Sequence, residues 1–207
     1  MTVPSNQPQV ASRSRKRLFA LLAVGLGLVA LAAVYLVVQL IRDDTPDIEA
    51  DFSSATCEDF DLAEFETFSA GEVELSKADG GKFPDSEARQ LYCKYTSDSG
   101  ITLTIGAGIG ITTDTADDPA SVLDEGRRFW EIDPSHTVED FDNGVLAGYT
   151  LSYETEPGQV FNLHGAGDQL FIGVFLRSEL GEFDTADALD LAEALAGQAF
   201  ERFEAYA

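Results

Sequence analysis

Residues Leu18 to Ile41 form an uninterrupted run of 24 residues without a charge, with Gln39 as the single polar side chain. As a helix rising about 1.5 Å per residue, such a run reaches roughly 36 Å, enough for a hydrocarbon core of ~30 Å. Gly25 and Gly27 are tolerated there, because a lipid-embedded helix satisfies its backbone internally. The expectation is a transmembrane helix over 18–41. Arg13, Arg15, Lys16 and Arg17 precede it, while Arg42, Asp43 and Asp44 follow. That asymmetry places the N-terminus in the cytoplasm and everything after Ile41 outside. Ala30-Leu31-Ala32 would suit a signal peptidase. Cleavage there would leave AVYLVVQLI as an apolar stub, so an uncut signal-anchor is expected. The expected location is the cell membrane, crossed once.

The charge is divided as sharply as the hydropathy. All 37 acidic residues lie after Ile41, against nine of the 13 basic ones, a net of −28 for the part expected outside. Such a surface is repelled by anionic headgroups and favours cationic partners. It excludes a nucleic-acid binder held by phosphate contacts. Two cysteines and two histidines are just the four ligands of a Cys/His zinc site, but with no Cys-x-x-Cys spacing and the histidines 28 residues apart they do not make its pattern. Both cysteines, Cys57 and Cys93, fall in the external part. An even number in an oxidising compartment points to a disulfide, and closing a loop of about 36 residues stabilises by roughly 3–4 kcal/mol. Two free buried thiols are the alternative; a redox pair lacks the Cys-x-x-Cys spacing.

The expected organisation is a basic tail 1–17, the membrane helix 18–41, an acidic stalk 42–56 and one domain 57–207. The stalk carries Pro46 and five acidic residues before Phe52. A helix is predicted from Cys57 to Phe68, with Glu58, Asp59 and Asp61 suiting its N-terminus. Ala78 to Lys82 reads as a turn. Arg89 to Thr96 alternates, with Leu91, Cys93 and Tyr95 on one face. After the turn Ser97-Asp98-Ser99-Gly100, Ile101 to Thr112 alternates for twelve residues, which predicts a hairpin. Asp118 and Pro119 open a second helix to about Trp130. Val145–Thr155, Val160–His164 and Leu170–Arg177 read as three further strands, the last apolar on both faces and therefore central. Asp184 and Asp187 cap a terminal helix running to Tyr206. The fold class is α+β: an N-terminal transmembrane helix, then one domain with an antiparallel sheet and packed helices.

Candidate chemistry is sparse. Gly106-Ala107-Gly108-Ile109-Gly110 resembles a phosphate loop, but Ile111 stands where a dinucleotide fingerprint needs glycine. It reads as a strand with one bare face. His136 and His164 have no nucleophile elbow to serve. Glu139 to Gly144 looks calcium-like, yet Val138 occupies the first EF-hand position. Trp130, the single tryptophan, reads as helix–sheet packing rather than a ligand platform. No catalytic, cofactor or metal residue is assigned.

The helix beginning at Thr56-Cys57, with Cys93-Lys94-Tyr95 entering a long strand, resembles the Cys…Cys-x-aromatic pattern of a family of actinobacterial envelope lipoproteins of unknown function. The tail is similar too, from Gly144–Tyr149 through hairpins to an Ala/Leu-rich helix from Asp187. In layout it also looks related to the extracellular sensor domains of some mycobacterial serine/threonine kinases. The resemblance covers about residues 54–205. It departs in having no lipobox cysteine, so a protein anchor replaces a lipid. It implies an envelope role in binding or as an accessory, without an assigned reaction. The expected function is a non-catalytic external module that binds an envelope protein or small ligand and no nucleic acid. The alternatives are an accessory subunit of a membrane complex and, less favoured, an envelope hydrolase.

Overall fold

The computed structural model describes residues 46–83, 86–111 and 118–207. The tail 1–17 and the apolar segment 18–41 lie outside the described residues. Among those described, no helix is long and apolar enough to cross a membrane.

Asp47–Ala207 folds as one compact unit, α+β as the sequence predicts. Among the described residues seven strands form one antiparallel sheet: β1 Val73–Lys82, β2 Arg89–Ser97, β3 Ile101–Ile109, β4 Thr137–Asp142, β5 Ala147–Glu154, β6 Gln159–Ala166 and β7 Leu170–Ser178. Their spatial order is β1-β2-β3-β7-β6-β5-β4. A three-stranded and a four-stranded meander therefore meet at the centre, where Ile101 pairs with Ser178 and Ile109 with Leu170. The alternating faces of β3 and β7 explain that position. Leu103, Ile105, Ile172, Val174 and Leu176 are buried on one side, so these two strands carry the middle of the core.

Among the described residues four α-helices accompany the sheet: α1 Ile48–Asp51, α2 Ala63–Ser69, α3 Pro119–Trp130 and α4 Thr185–Phe203. On α4, Leu191, Leu195 and Phe203 are buried together with Ala188, Ala192, Ala196 and Ala199. The alanines let the helix backbone approach the sheet closely. Asp184 caps α4 by accepting from the Ala186 and Asp187 amides, as the sequence predicts. On the opposite face α3 lays Leu123 against Tyr149 and Leu151, and Asp118 caps it through the Ser121 amide at 3.0 Å.

Several expected boundaries move. Of the stalk expected over 42–56, the residues from Asp47 onward belong to the domain. Phe52 is fully buried, its ring 4.7 Å from that of Phe203. The helix expected from Cys57 to Phe68 is split into a 3-10 segment Ser54–Glu58 and α2. The turn expected at Ala78–Lys82 is the end of β1. The calcium-like stretch at Glu139–Asp142 lies in β4. The strand expected to reach Thr112 stops at Ile109, followed by Gly110 at φ 62°. Thr112 itself lies outside the described residues.

Candidate binding groove

Cys57 and Cys93 form a disulfide, with Cα atoms 5.4 Å apart. It joins the 3-10 segment to the inward face of β2. Tyr95, on the same face, donates its hydroxyl to the Cys57 carbonyl. Burial drives the Tyr95 phenol far above its ordinary range, and the nearby charge of Asp59 adds to this. The segment before α2 is thus fixed to the sheet, and the turn leading into α2 is fixed to α4 by a reciprocal amide pair. The Asp61 amide donates to Gln198 Oε1 at 3.0 Å, and Gln198 Nε2 donates to the Asp61 carbonyl at 3.2 Å.

Beyond that clamp, toward the N-terminus of α4, the two helices enclose an open groove of about 910 Å³. Its floor is apolar: Phe68 and Ala63 from α2, Leu191 and Ala194 from α4, Ile101 from the start of β3, and Phe183 from the loop after β7. The Phe68 and Phe183 rings lie 5.6 Å apart at 58°. Phe183 is held by its own amide, which donates to Gln159 Oε1 at 2.9 Å. The polar lining is acidic apart from Thr67: Glu64 on one wall, and Glu182, Asp184, Asp187 and Asp190 on the other. Among the described residues these five carboxylates join none of the ion pairs, which involve Lys82, Arg127 and Arg202. Asp184 is occupied in capping α4, so the helix N-terminus there is already filled by the chain's own carboxylate.

The other sequence candidates lie elsewhere and do not converge. His164 sits on β6, stacked on Tyr149 with centroids 4.7 Å apart at 22° and edge-on to Phe175 at 5.1 Å. Its Nε2 is buried and has no hydrogen-bond partner among the described residues. Burial lowers its pKa to about 4, leaving a neutral ring. Tyr149 is pushed up to about 12 by burial, against a hydrogen bond with Trp130 that works the other way. His136 donates from Nδ1 to the Trp130 carbonyl at 3.1 Å and packs 4.7 Å from the Tyr153 ring. Trp130 is half-buried and packs on the α3–sheet interface, while Phe129 and Ile132 beside it are 66% and 78% exposed. Gly106 and Gly108 lie inside β3 and build no phosphate loop. In the calcium-like segment, Asp142 Oδ1 accepts from the Gly144 amide and Asn143 Oδ1 from the Val145 and Leu146 amides. Those oxygens shape a turn. Among the described residues no group of three or more His, Cys, Asp or Glu side chains is placed to hold a metal ion.

The groove is not singled out by the sequence. Its one local signal is the acidic spacing Asp184, Asp187, Asp190, which places carboxylates on neighbouring turns of a helix, in a chain where acids are everywhere. The chain matches no family model, and neither a curated protein nor a solved structure shows significant similarity to it.

Proposed function

We propose that this protein is a single-pass, membrane-anchored binding module of the cell envelope, non-catalytic, whose working surface is the groove between α2 and α4. The observation that carries this reading is the placement of the groove within the domain. The chain enters against the C-terminal end of α4, where Phe52 meets Phe203 and Asp51 accepts from the Tyr206 hydroxyl at 2.8 Å. The groove lies along the N-terminal half of the same 19-residue helix, from Asp184 to Ala194, with Asp190 about 20 Å from Phe203 along the helix axis. A domain tethered through Asp47 therefore leaves the groove free for a partner. The apolar run 18–41 supplies the tether, and its basic flank directs the domain outward.

Two measurements in intact cells test the reading. A cysteine at Ser5 should be shielded from an impermeant thiol reagent, and one at the exposed Ser99 should be labelled. A photoreactive side chain at Glu64 should then cross-link a discrete partner that the same group at Glu139, on β4, does not reach. The reverse labelling pattern would overturn the topology. Cross-linking that survives at Glu139, or that follows residues 18–41 alone, would transfer the function from the groove to the anchor.

A further inference from the structure

Resting on that reading of the groove, we infer that its occupant is a cationic peptide segment of another protein that presents apolar side chains between lysines or arginines. The floor and the rim each select one half of this description. Phe68, Ile101, Phe183 and Leu191 offer an apolar trough, which favours a partner that buries Leu- or Phe-like side chains there. A hydrophilic polyamine or a metal ion would leave that trough wet.

The rim then sets the charge. Glu64 faces Glu182, Asp187 and Asp190 across the trough, all exposed and none ion-paired among the described residues. Carboxylates on both walls repel one another across the opening, and a cation laid along it neutralises both. An anionic or neutral peptide gains the floor but not the rim. The one feature that could attract an anion, the α4 N-terminus, is taken up by Asp184. Length follows from α2, whose seven residues give a wall of about 10 Å. That matches two turns of a helical segment, or three to four extended residues, with basic side chains reaching both rims. Association with such a segment is steered by charge and weakens with salt.

The test selects peptides without assuming their sequence. Full-length protein in zwitterionic nanodiscs is panned against a random heptapeptide display library, with empty nanodiscs subtracted. The selected sequences should pair Lys or Arg with Leu, Ile or Phe. Binding of the most enriched peptide is then measured by fluorescence anisotropy to three variants. Glu182→Lys/Asp187→Lys/Asp190→Lys should weaken it about tenfold or more. Ala194→Trp, which fills the floor without changing charge, should weaken it similarly. Glu139→Lys/Glu154→Lys/Asp168→Lys, which removes the same charge outside the groove, should change it less than about twofold at physiological salt. Equal weakening by both charge reversals would overturn the inference in favour of bulk attraction. So would an unaffected Ala194→Trp, which would leave the floor without a role. Selected peptides that are acidic or uncharged, but lost on Ala194→Trp, would overturn the cationic partner while keeping the binding groove. No enrichment of any composition would overturn both.

Discussion

The hydroxyl of Tyr95 donates to the carbonyl of Cys57 over 2.5 Å, two residues along β2 from the Cys93 to which Cys57 is covalently bonded. One residue of the 3-10 segment is thus held to one strand face twice, by its side chain and by its backbone. The disulfide closes a 36-residue separation that includes the whole of α2 and of β1, an edge strand with no fully buried residue. Removing either cysteine should lower stability by roughly 2–5 kcal/mol. Cys57→Ser and Cys93→Ser should cost the same, and the double mutant no more than either. Tyr95→Phe should cost about 1–3 kcal/mol by stranding a buried carbonyl. It should cost less in the Cys57→Ser background, where the segment can swing to water. Denaturant melts of the oxidised, reduced and mutated protein measure all of these. Two titratable thiols in the oxidised protein would remove the staple altogether.

What the sequence discloses about the sheet divides along a physical line. β2, β3, β5, β6 and β7 are each flanked by a strand on both sides, and their hydrophobic patterns announce them. β1 and β4 are the two edges; the end of β1 is misread as a turn, and β4 is not recognised as a strand. β1 reads VELSKADGGK and is exposed along most of its length; β4 reads TVEDFD and buries only Phe141. Edge strands are kept charged and polar to prevent pairing with other chains, and that same composition erases the alternation by which a strand is recognised. The groove is hidden for a different reason. Phe68 and Phe183 come from segments far apart in sequence, and tertiary contacts such as the Gln198 clamp on the entry to α2 and the Gln159 bond to Phe183 bring their rings together.

His164 makes the domain sensitive to acid. Its ring is enclosed by Tyr149, Phe171 and Phe175, and burial lowers its pKa from 6.5 to about 4. Between these values the unfolded chain binds a proton that the folded chain does not, so stability falls as pH falls through that window. The contribution is absent above pH 7 and grows to a loss on the order of 3 kcal/mol by pH 4. His164→Phe keeps the aromatic stack and removes the titration. The difference in melting temperature between the variant and the parent should therefore widen in favour of the variant as pH drops from 7 to 4. A difference independent of pH would show that the ring is protonated as readily folded as unfolded.

Calcium should have no special effect through the β4–β5 turn. Asp142 and Asn143 spend side-chain oxygens on the amides of Gly144, Val145 and Leu146, which a metal would have to displace. Millimolar calcium should shift the melting temperature no more than an equal concentration of magnesium. A saturable, calcium-specific rise would mean that the turn opens to bind it.

Two glycines of the sheet should respond differently to alanine. A Cβ on Gly148 would fall within the contact radius of the His164 carbonyl oxygen and 3.0 Å from Leu123 Cδ1. The first obstacle is backbone in the neighbouring strand, held by the β5–β6 pairing of Gly148 with Gly165; the second is the helix α3 that covers it. The Leu123 methyl is a side-chain end that can shift, but the carbonyl cannot move without opening the sheet, so Gly148→Ala should lose about 2 kcal/mol or more. Gly106, from the bare face of β3, is different. A Cβ there would lie 3.8 Å from the Gly173 carbonyl oxygen and 3.9 Å from the Phe175 ring, ordinary contact distances. Its strand backbone suits any L-residue, and alanine narrows the unfolded ensemble. Gly106→Ala should therefore be neutral or stabilise by about 0.4–1 kcal/mol. Urea denaturation of the two variants beside the parent decides it, and a loss at Gly106 comparable to that at Gly148 would mean that the bare face of β3 is needed bare.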